Sequence, residues 1–123
     1  RMATQRHTTI FTENMLPDIT PTRFAALAKL FELGPMSQNE LGRQTAMDVA
    51  TIKGVVDRLK VLNLVTTAPH PKDARRHVVR LTAQGNKTLR TAIPLAEHIT
   101  QETLAPLTVE QRSKLLSLIR KLI

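Results

Sequence analysis

The stretch Asp73-Ala74-Arg75-Arg76-His77-Val78-Val79-Arg80-Leu81-Thr82-Ala83-Gln84-Gly85 decides the fold of this chain. It begins with a charged segment that we interpret as a loop. The next five residues alternate, which predicts a strand with one face toward a core and the other toward solvent or phosphate. One face comprises His77, Val79 and Leu81, and the other comprises Val78 and Arg80. Thr82 has the side chain that suits the N-cap of a following helix.

The residues just before this stretch predict the other half of a β-hairpin. Leu64-Val65-Thr66-Thr67-Ala68 is short, apolar and rich in β-branched residues, as strands are. Pro69-His70-Pro71-Lys72-Asp73 is expected to end that strand, because proline has no backbone N–H to pair. We therefore expect the hairpin tip at residues 69–73 and the return strand from His77 to Leu81.

Two short helices joined by a turn are predicted upstream of the hairpin. Ser37-Gln38-Asn39-Glu40 has the pattern of a capping box and begins a helix that ends near Gln44. Asp48 is suited to cap the next helix, which has an apolar stripe and an opposite, mainly polar face. The stripe comprises Val49, Ile52, Val55, Val56, Leu59 and Leu62, and the opposite face comprises Ala50, Thr51, Lys53, Gly54, Asp57 and Arg58. Such a pair is a helix-turn-helix, whose second helix enters the major groove of DNA.

Four further helices complete the prediction. They span residues 4–16, residues 21–33 with stop signals at Gly34-Pro35, residues 82–103 with a kink at Pro94, and a last helix that begins with the capping box Thr108-Val109-Glu110-Gln111. The expected fold is therefore mainly α (α+β), a winged helix-turn-helix with a two-stranded β-hairpin wing. We predict a single domain over residues 1–123, with its DNA-binding core at 20–82.

The helical ends, residues 1–16 and 83–123, lie outside that core and carry apolar stripes that need a partner. The last of these stripes comprises Leu115, Leu116, Leu118, Ile119 and Leu122. A second copy of the chain would cover them, so we expect a homodimer. Its two recognition helices would then lie about one helical turn of DNA, roughly 10 bp, apart.

Composition favours double-stranded DNA as the partner. The chain has 18 Lys and Arg against 10 Asp and Glu, a net charge of +8 that suits nucleic acid or an acidic membrane face. It has three phenylalanines and no tryptophan or tyrosine, which is poor provision for stacking single-stranded bases. No cysteine is present, which excludes a thiol nucleophile or thiol redox sensor. No membrane-spanning run or secretory signal is evident, so we expect a cytoplasmic, nucleoid-associated protein.

Several of these motifs together resemble one family. Asp73-x-Arg75-Arg76 followed by Leu81-Thr82-x-x-Gly85 is similar to the signature of the multiple-antibiotic-resistance-regulator (MarR) family of bacterial transcription factors. Thr20-Pro21-x-x-Phe24-x-x-Leu27 and Asp57-Arg58-Leu59 extend the resemblance along nearly the whole chain. The resemblance implies that Asp73 pairs with Arg75 to hold the wing in shape. It also implies a pocket for a phenolic or aromatic-acid effector between the dimerisation helices and the DNA-binding core.

The DNA-contacting residues are predicted in three groups. On the recognition helix we favour Thr51 and Lys53 for base contact, while Gly54 suggests close approach of either DNA or a neighbouring helix. On the wing, Arg75 and Arg76 are placed to enter a minor groove or grip the backbone, unless the loop is simply solvated. The complete set is Ala50, Thr51, Lys53, Gly54 and Arg58 on the recognition helix, Ser37, Gln38 and Asn39 as phosphate-binding or merely capping residues before it, and His70, Lys72, Arg75 and Arg76 on the wing.

An effector pocket is predicted from apolar residues at helical spacing with two polar partners for a carboxylate. Phe11, Met15, Phe24 and Phe31 would line the pocket, and His7 or Arg23 would meet the acid. The alternative interpretation is that these side chains belong to the ordinary core.

The sequence gives no support for catalysis or a cofactor. Its four histidines, His7, His70, His77 and His98, are scattered, and no glycine-rich phosphate loop or metal-ligand spacing is present. We therefore predict a sequence-specific transcriptional regulator, a dimeric repressor of a catabolic or efflux operon that a small aromatic acid releases. The alternatives are a non-specific nucleoid-type DNA-binding protein and a winged-helix adaptor that binds protein.

Overall fold

A computed structural model describes all 123 residues as six helices and a two-stranded antiparallel sheet. The elements are α1 (Met2–Asn14), α2 (Pro21–Leu33), α3 (Gln38–Gln44), α4 (Val49–Val61), β1 (Val65–His70), β2 (Asp73–Leu81), α5 (Ala83–Thr103) and α6 (Val109–Arg120). This order confirms the predicted winged helix-turn-helix. None of the helices is both long and apolar enough to cross a membrane.

Local sequence accounts for most of the helix boundaries. Asp48, Thr82 and Thr108 each accept a hydrogen bond from a backbone N–H in the first turn of the helix that follows. Gly34 ends α2 with φ +85°, a left-handed conformation that glycine adopts without strain. The predicted limits of α1 were wrong by two residues at each end. Its end falls before Leu16, because Leu16 precedes Pro17 and the residue before a proline avoids the helical region.

One of the two predicted capping boxes is only half formed. The Ser37 hydroxyl accepts from the backbone N–H of Glu40 at 3.1 Å, as expected. The Glu40 carboxylate does not return to Ser37, because it accepts instead from the Arg43 and Gln44 side chains. The box that begins α6 has both hydrogen bonds, between Thr108 and Gln111.

The wing is longer than predicted, and its arginines lie within a strand. The predicted tip at residues 69–73 contains the turn but is too long, since Pro69 belongs to β1 and pairs with His77. Proline is tolerated there because β1 is an edge strand whose outer side needs no donor. The turn is Pro71-Lys72, and the pairing shifts so that His70 lies opposite Asp73. Residues 74–76 are thus strand residues beside the tip and not loop residues at it.

The predicted alternation along β2 is also broken. Val78 and Val79 are adjacent, yet both are buried. Val79 faces the main core and exchanges two backbone hydrogen bonds with Met36, at 2.7 and 3.2 Å, so the segment before α3 pairs with β2. Val78 is covered from the other side, where it lines a groove beside α3. Both faces of β2 are covered here, which single-strand periodicity does not reveal.

The main core lies inside the winged helix-turn-helix. Leu27, Leu41, Ile52, Leu59 and Leu89 are at its centre, each at most 1% exposed. A smaller cluster of Ile10, Phe11 and Ile99 joins α1 to α5. Val49 does not belong to the buried stripe as predicted: it is 71% exposed, because it is the first residue after the Asp48 cap.

The last helix packs differently from the rest. No residue of α6 is buried, and its predicted apolar stripe is open along its length. Leu115, Leu116, Leu118 and Ile119 are 36–50% exposed.

Pro94 lies inside α5, at an exposed position of a continuous helix.

Candidate nucleic-acid interface

The recognition helix α4 is held by one face and leaves the other open. Ile52, Val56 and Leu59 anchor it in the core, each at most 1% exposed. The Asp48 carboxylate fixes its first turn by accepting from the Thr51 N–H at 2.7 Å. The five residues predicted to contact DNA from this helix are all exposed: Ala50, Thr51, Lys53, Gly54 and Arg58. The helix can therefore enter a major groove without disturbing the core.

Gly54 lies at the middle of this open face. A Cβ built on it would meet no atom within 4 Å. No neighbouring helix of this chain packs against Gly54, so the structure lends that alternative no support. Within the chain nothing requires glycine here, and close approach of DNA stays a prediction.

Lys53 is already paired within its own helix. Its Nζ lies 2.7 Å from Asp57 Oδ2, one helical turn further on. The Lys53 hydrogen bond holds the pKa of the exposed Asp57 carboxyl below its ordinary value. The Lys53 ammonium is thus directed along the helix surface. To contact a base or phosphate, it would have to leave the Asp57 carboxylate or bind both groups at once.

The residues before α4 are placed unequally for contact with phosphate. Ser37 caps α3 with its lone pairs, which leaves its hydroxyl proton for another acceptor. Asn39 is exposed, and Gln38 is half-buried.

A groove that the sequence analysis did not predict runs between α3 and the wing. It encloses about 280 Å³ and brings together side chains from both elements. Its polar lining comprises Ser37, Glu40, Arg43, His70, Arg76 and His77. Glu40 accepts from Arg43 Nε at 2.8 Å, and its bonds to Gln44 and Arg43 hold the pKa of this carboxyl below its ordinary value.

Arg43 is the residue of this groove that sequence reasoning missed. The signal was present, because Ser37, Glu40 and Arg43 are spaced three apart and share one face of α3. What the sequence did not show is that this face lies beside Arg76 of β2.

The wing holds its charged side chains through short-range hydrogen bonds. Asp73 Oδ1 accepts from the backbone N–H of Arg75 at 3.1 Å and from its Nε at 3.3 Å. The structure thus contains the pair that the family resemblance implies. His70 Nδ1 accepts from the Lys72 N–H at 3.0 Å and closes the turn. Arg76 and Lys72 remain exposed at this end of the wing.

The predicted effector residues separate into two places. His7, Phe11 and Phe24 form a chain of edge-to-face rings with centroids 6.4 and 6.2 Å apart, against which Met15 packs. His7 Nδ1 lies 3.0 Å from Thr103 Oγ1, so this cluster joins α1, α2 and the end of α5. Phe31 does not belong to it, because it lies at the opposite end of α2.

Arg23 lies near the cluster but is engaged elsewhere. Its Nη1 donates to the backbone carbonyl of Asp18 at 2.9 Å. A cleft of about 280 Å³ opens between the end of α1 and the start of α2, and Arg23 is not among the residues that line it. Phe11 and Met15 line that cleft.

An exposed recognition helix, a basic groove and a charged wing define a winged helix-turn-helix of the DNA-binding class. Residues 19–77 match the model of the MarR family. The chain is 42% identical over 124 residues to the HTH-type transcriptional repressor NicR of Pseudomonas putida, an alignment that covers all of this chain and 78% of NicR. This chain belongs to the MarR family.

Solved structures support the same conclusion. A probable transcriptional regulator from Pseudomonas aeruginosa superposes with a TM-score of 0.96 at 42% identity, covering 100% of this chain and 92% of the other. BpsR of Bordetella bronchiseptica, whose DNA binding is regulated by 6-hydroxynicotinic acid, gives 0.93 at 35% identity, covering 99% and 88%. A mutant of MarR from Escherichia coli, complexed with operator DNA, gives 0.89 at 26% identity, covering 99% and 89%.

Proposed function

We propose that this protein is a sequence-specific repressor that binds operator DNA as a homodimer and is released by a small aromatic acid. The observation that carries the proposal is the open face of α4. Thr51, Lys53 and Gly54 lie exposed near its N-terminal end, with a basic groove and wing beside them. Similarity to the repressor NicR over the whole chain supports the same function. It is a regulator and not an enzyme in this proposal.

The bases are contacted by Thr51 and Lys53, with Ala50 and Gly54 allowing close approach and Arg58 nearer the phosphates. Ser37, Gln38 and Asn39 contact the DNA phosphate backbone where it passes the start of α3. The wing adds Arg75, Arg76, Lys72 and His70, with Asp73 positioning Arg75. Since Arg76 lies in a strand and faces the groove with Arg43, these two guanidinium groups are suited to hold one phosphate between α3 and the wing.

The homodimer follows from the exposed apolar residues at the chain's C-terminal end. Leu118 and Ile119 on α6 are 50% and 44% exposed, and Leu115 and Leu116 are only slightly less so. Contiguous apolar surface of this kind marks an interaction site. A second copy that covers it by two-fold symmetry places two recognition helices on successive major grooves. In this proposal residues 20–82 form the DNA-binding core, and residues 1–16 and 83–123 form the dimerisation region.

The effector site lies at the His7, Phe11 and Phe24 cluster. An aromatic acid would place its ring against the phenylalanines and its carboxylate near His7 or Arg23. Because His7 also contacts Thr103, a ligand there alters the packing of α1 on α5. It thereby shifts the population of dimers toward a spacing that does not fit the operator. The relative BpsR, whose DNA binding is regulated by 6-hydroxynicotinic acid, supports a ligand of this kind.

Selection of bound duplexes from a random pool at near-physiological salt tests the DNA-binding part. We expect an inverted repeat with half-sites about 10 bp apart. Tight binding without a motif would indicate a nucleoid-type protein, and absence of binding would favour an adaptor. Either result overturns the proposal.

Titration of the protein–operator complex with 6-hydroxynicotinic acid tests the effector part. We expect release of DNA by the acid and none by 6-hydroxynicotinamide, which has the same ring without the negative charge. His7→Ala with Arg23→Gln should raise the acid concentration needed for release at least tenfold, while the affinity for operator without the acid stays within threefold.

A further inference from the structure

A second cleft lies at the end of α2 opposite to the His7 cluster. It encloses about 340 Å³ where the end of α2, the end of β2 and the start of α5 meet. This volume lies at the lower end of the roughly 300–1,000 Å³ that is usual for small-molecule sites. Its lining comprises Leu30, Phe31, Pro35, Arg80, Leu81 and Asn86.

The wall of this cleft contains an aromatic ring that the core does not use. Phe31 is 42% exposed, whereas the other two phenylalanines pack together at the α1–α2 cluster. The guanidinium of Arg90, from α5, lies 5.8 Å from the Phe31 ring centroid. This cation–π contact places a second positive charge against the Phe31 ring, next to the residues that line the cleft.

The positive charge at this cleft is not neutralised within the chain. The five ion pairs of the structure are elsewhere, and neither Arg80 nor Arg90 has an acidic partner. The side-chain amide of Asn86 makes no hydrogen bond to the protein either, and this residue is half-buried. The Arg80 guanidinium and the Asn86 amide therefore line the apolar wall with their donors free, and the Arg90 guanidinium lies next to this lining, over the Phe31 ring.

We propose that this cleft is a binding site for a small organic anion, a carboxylate on a single ring or short apolar chain. The carboxylate accepts from Arg80 and Asn86, and Arg90 adds charge from the side. The apolar body lies against Phe31 and Leu81. A DNA phosphate would use the arginines but not the apolar wall, which is why the observations favour an amphiphilic anion.

The site is separate from the proposed effector cluster, and the sequence allows the two to be observed separately. Phe11 and Phe24 report on the effector cluster and Phe31 on this cleft, and there are no other phenylalanines. Protein labelled with 4-fluorophenylalanine should thus give three ¹⁹F resonances. The variant Phe31→Leu identifies the resonance of Phe31.

The test is a titration of the labelled protein with benzoate and, separately, with uncharged benzyl alcohol. We expect a saturable shift of the Phe31 resonance with benzoate and a response at least tenfold weaker with the alcohol. Arg80→Gln combined with Arg90→Gln should raise the benzoate Kd at Phe31 at least tenfold. The control Arg120→Gln with Lys121→Gln removes the same charge at exposed positions on and just after α6 and should leave Kd within twofold.

Three results would overturn the proposal. One is a benzoate response confined to Phe11 and Phe24, and another is an equal response to the alcohol. The third is a Phe31 resonance that moves with a random duplex but not with benzoate, which would make the arginines a phosphate contact. If the double variant does not fold, as judged by far-UV circular dichroism, Arg80→Gln alone gives the same comparison.

Discussion

Gly85 lies against the backbone of Leu64 so closely that a Cβ at position 85 would fall 2.0 Å from the Leu64 carbonyl oxygen. The same carbonyl accepts from the Thr82 N–H at 3.1 Å, and Thr82 Oγ1 donates to the Asn63 carbonyl at 2.7 Å. The Gly85 N–H in turn donates to Thr82 Oγ1. The Leu81-Thr82-x-x-Gly85 motif is therefore the joint where α4, β1 and α5 meet.

The substitution Gly85→Ala should destabilise the protein by at least about 3 kcal/mol, because neither the added methyl nor the Leu64 backbone can move without breaking this joint. Urea unfolding at fixed protein concentration measures the change. Gly54→Ala is the matched control: its methyl meets open space and gains helix propensity, so it should stabilise by up to about 1 kcal/mol. A loss below about 1 kcal/mol for Gly85→Ala would contradict the geometry.

Gly54→Ala should also separate stability from DNA binding. If DNA approaches the open face of α4, the added methyl should weaken binding of the selected operator at least tenfold while the protein becomes more stable. Fluorescence anisotropy with labelled duplex measures the affinity. Val61→Ala, at an exposed position at the end of the same helix, should bind within twofold of the unaltered protein. Unchanged affinity in Gly54→Ala would mean that DNA does not come close to this residue.

Much of this fold could be predicted from local sequence. Caps such as Asp48 and Thr82 depend on a side chain and a backbone N–H only three residues apart, so the sequence contains both partners. The apolar stripe of α4 and the stop at Gly34 have the same local origin. The order of elements and the family resemblance followed from these signals.

What could not be predicted depends on contacts between distant residues. The bridge from Met36 to Val79 pairs the segment before α3 with β2, where Val78 and Val79 are both buried, and nothing near Val79 in the sequence indicates it. Pro69 is typical of a residue that ends a strand, and only the sheet topology shows that β1 is an edge strand that tolerates it. Phe24 and Phe31 are seven residues apart, a spacing that predicts one shared face of α2 but does not show which neighbour each end of the helix meets.

The Lys53–Asp57 pair predicts a specific pH dependence. The hydrogen bond from the Lys53 ammonium lowers the pKa of the Asp57 carboxyl in the folded protein. The contribution of this pair to stability is therefore fully present above the ordinary pKa of an aspartic acid. That contribution is lost as the pH falls through the lowered value, in the range below about pH 4. Carbon-13 NMR titration of the side-chain carboxyl should give a midpoint below the ordinary value, and Lys53→Gln should raise it. An unchanged midpoint in Lys53→Gln would show that the pair does not persist in solution.

The two wing arginines predict a change in the salt dependence of DNA binding. Arg75→Gln with Arg76→Gln should weaken binding to specific and random duplexes alike, because phosphate contacts carry little sequence information. The slope of log K against log salt should fall by roughly 1 for each phosphate that the protein no longer neutralises, hence by up to about 2. Arg120→Gln with Lys121→Gln removes the same charge at positions outside the apolar stripe of the dimerisation region, and it should leave both the dimer, measured by sedimentation, and the slope unchanged. If both pairs lower the slope equally, the wing acts only through net charge. The wing variant could instead lose affinity for the operator but not for random duplexes. That result would mean that Arg75 and Arg76 of the unaltered protein recognise the shape of a particular minor groove, into which the strand position of Arg76 brings its side chain.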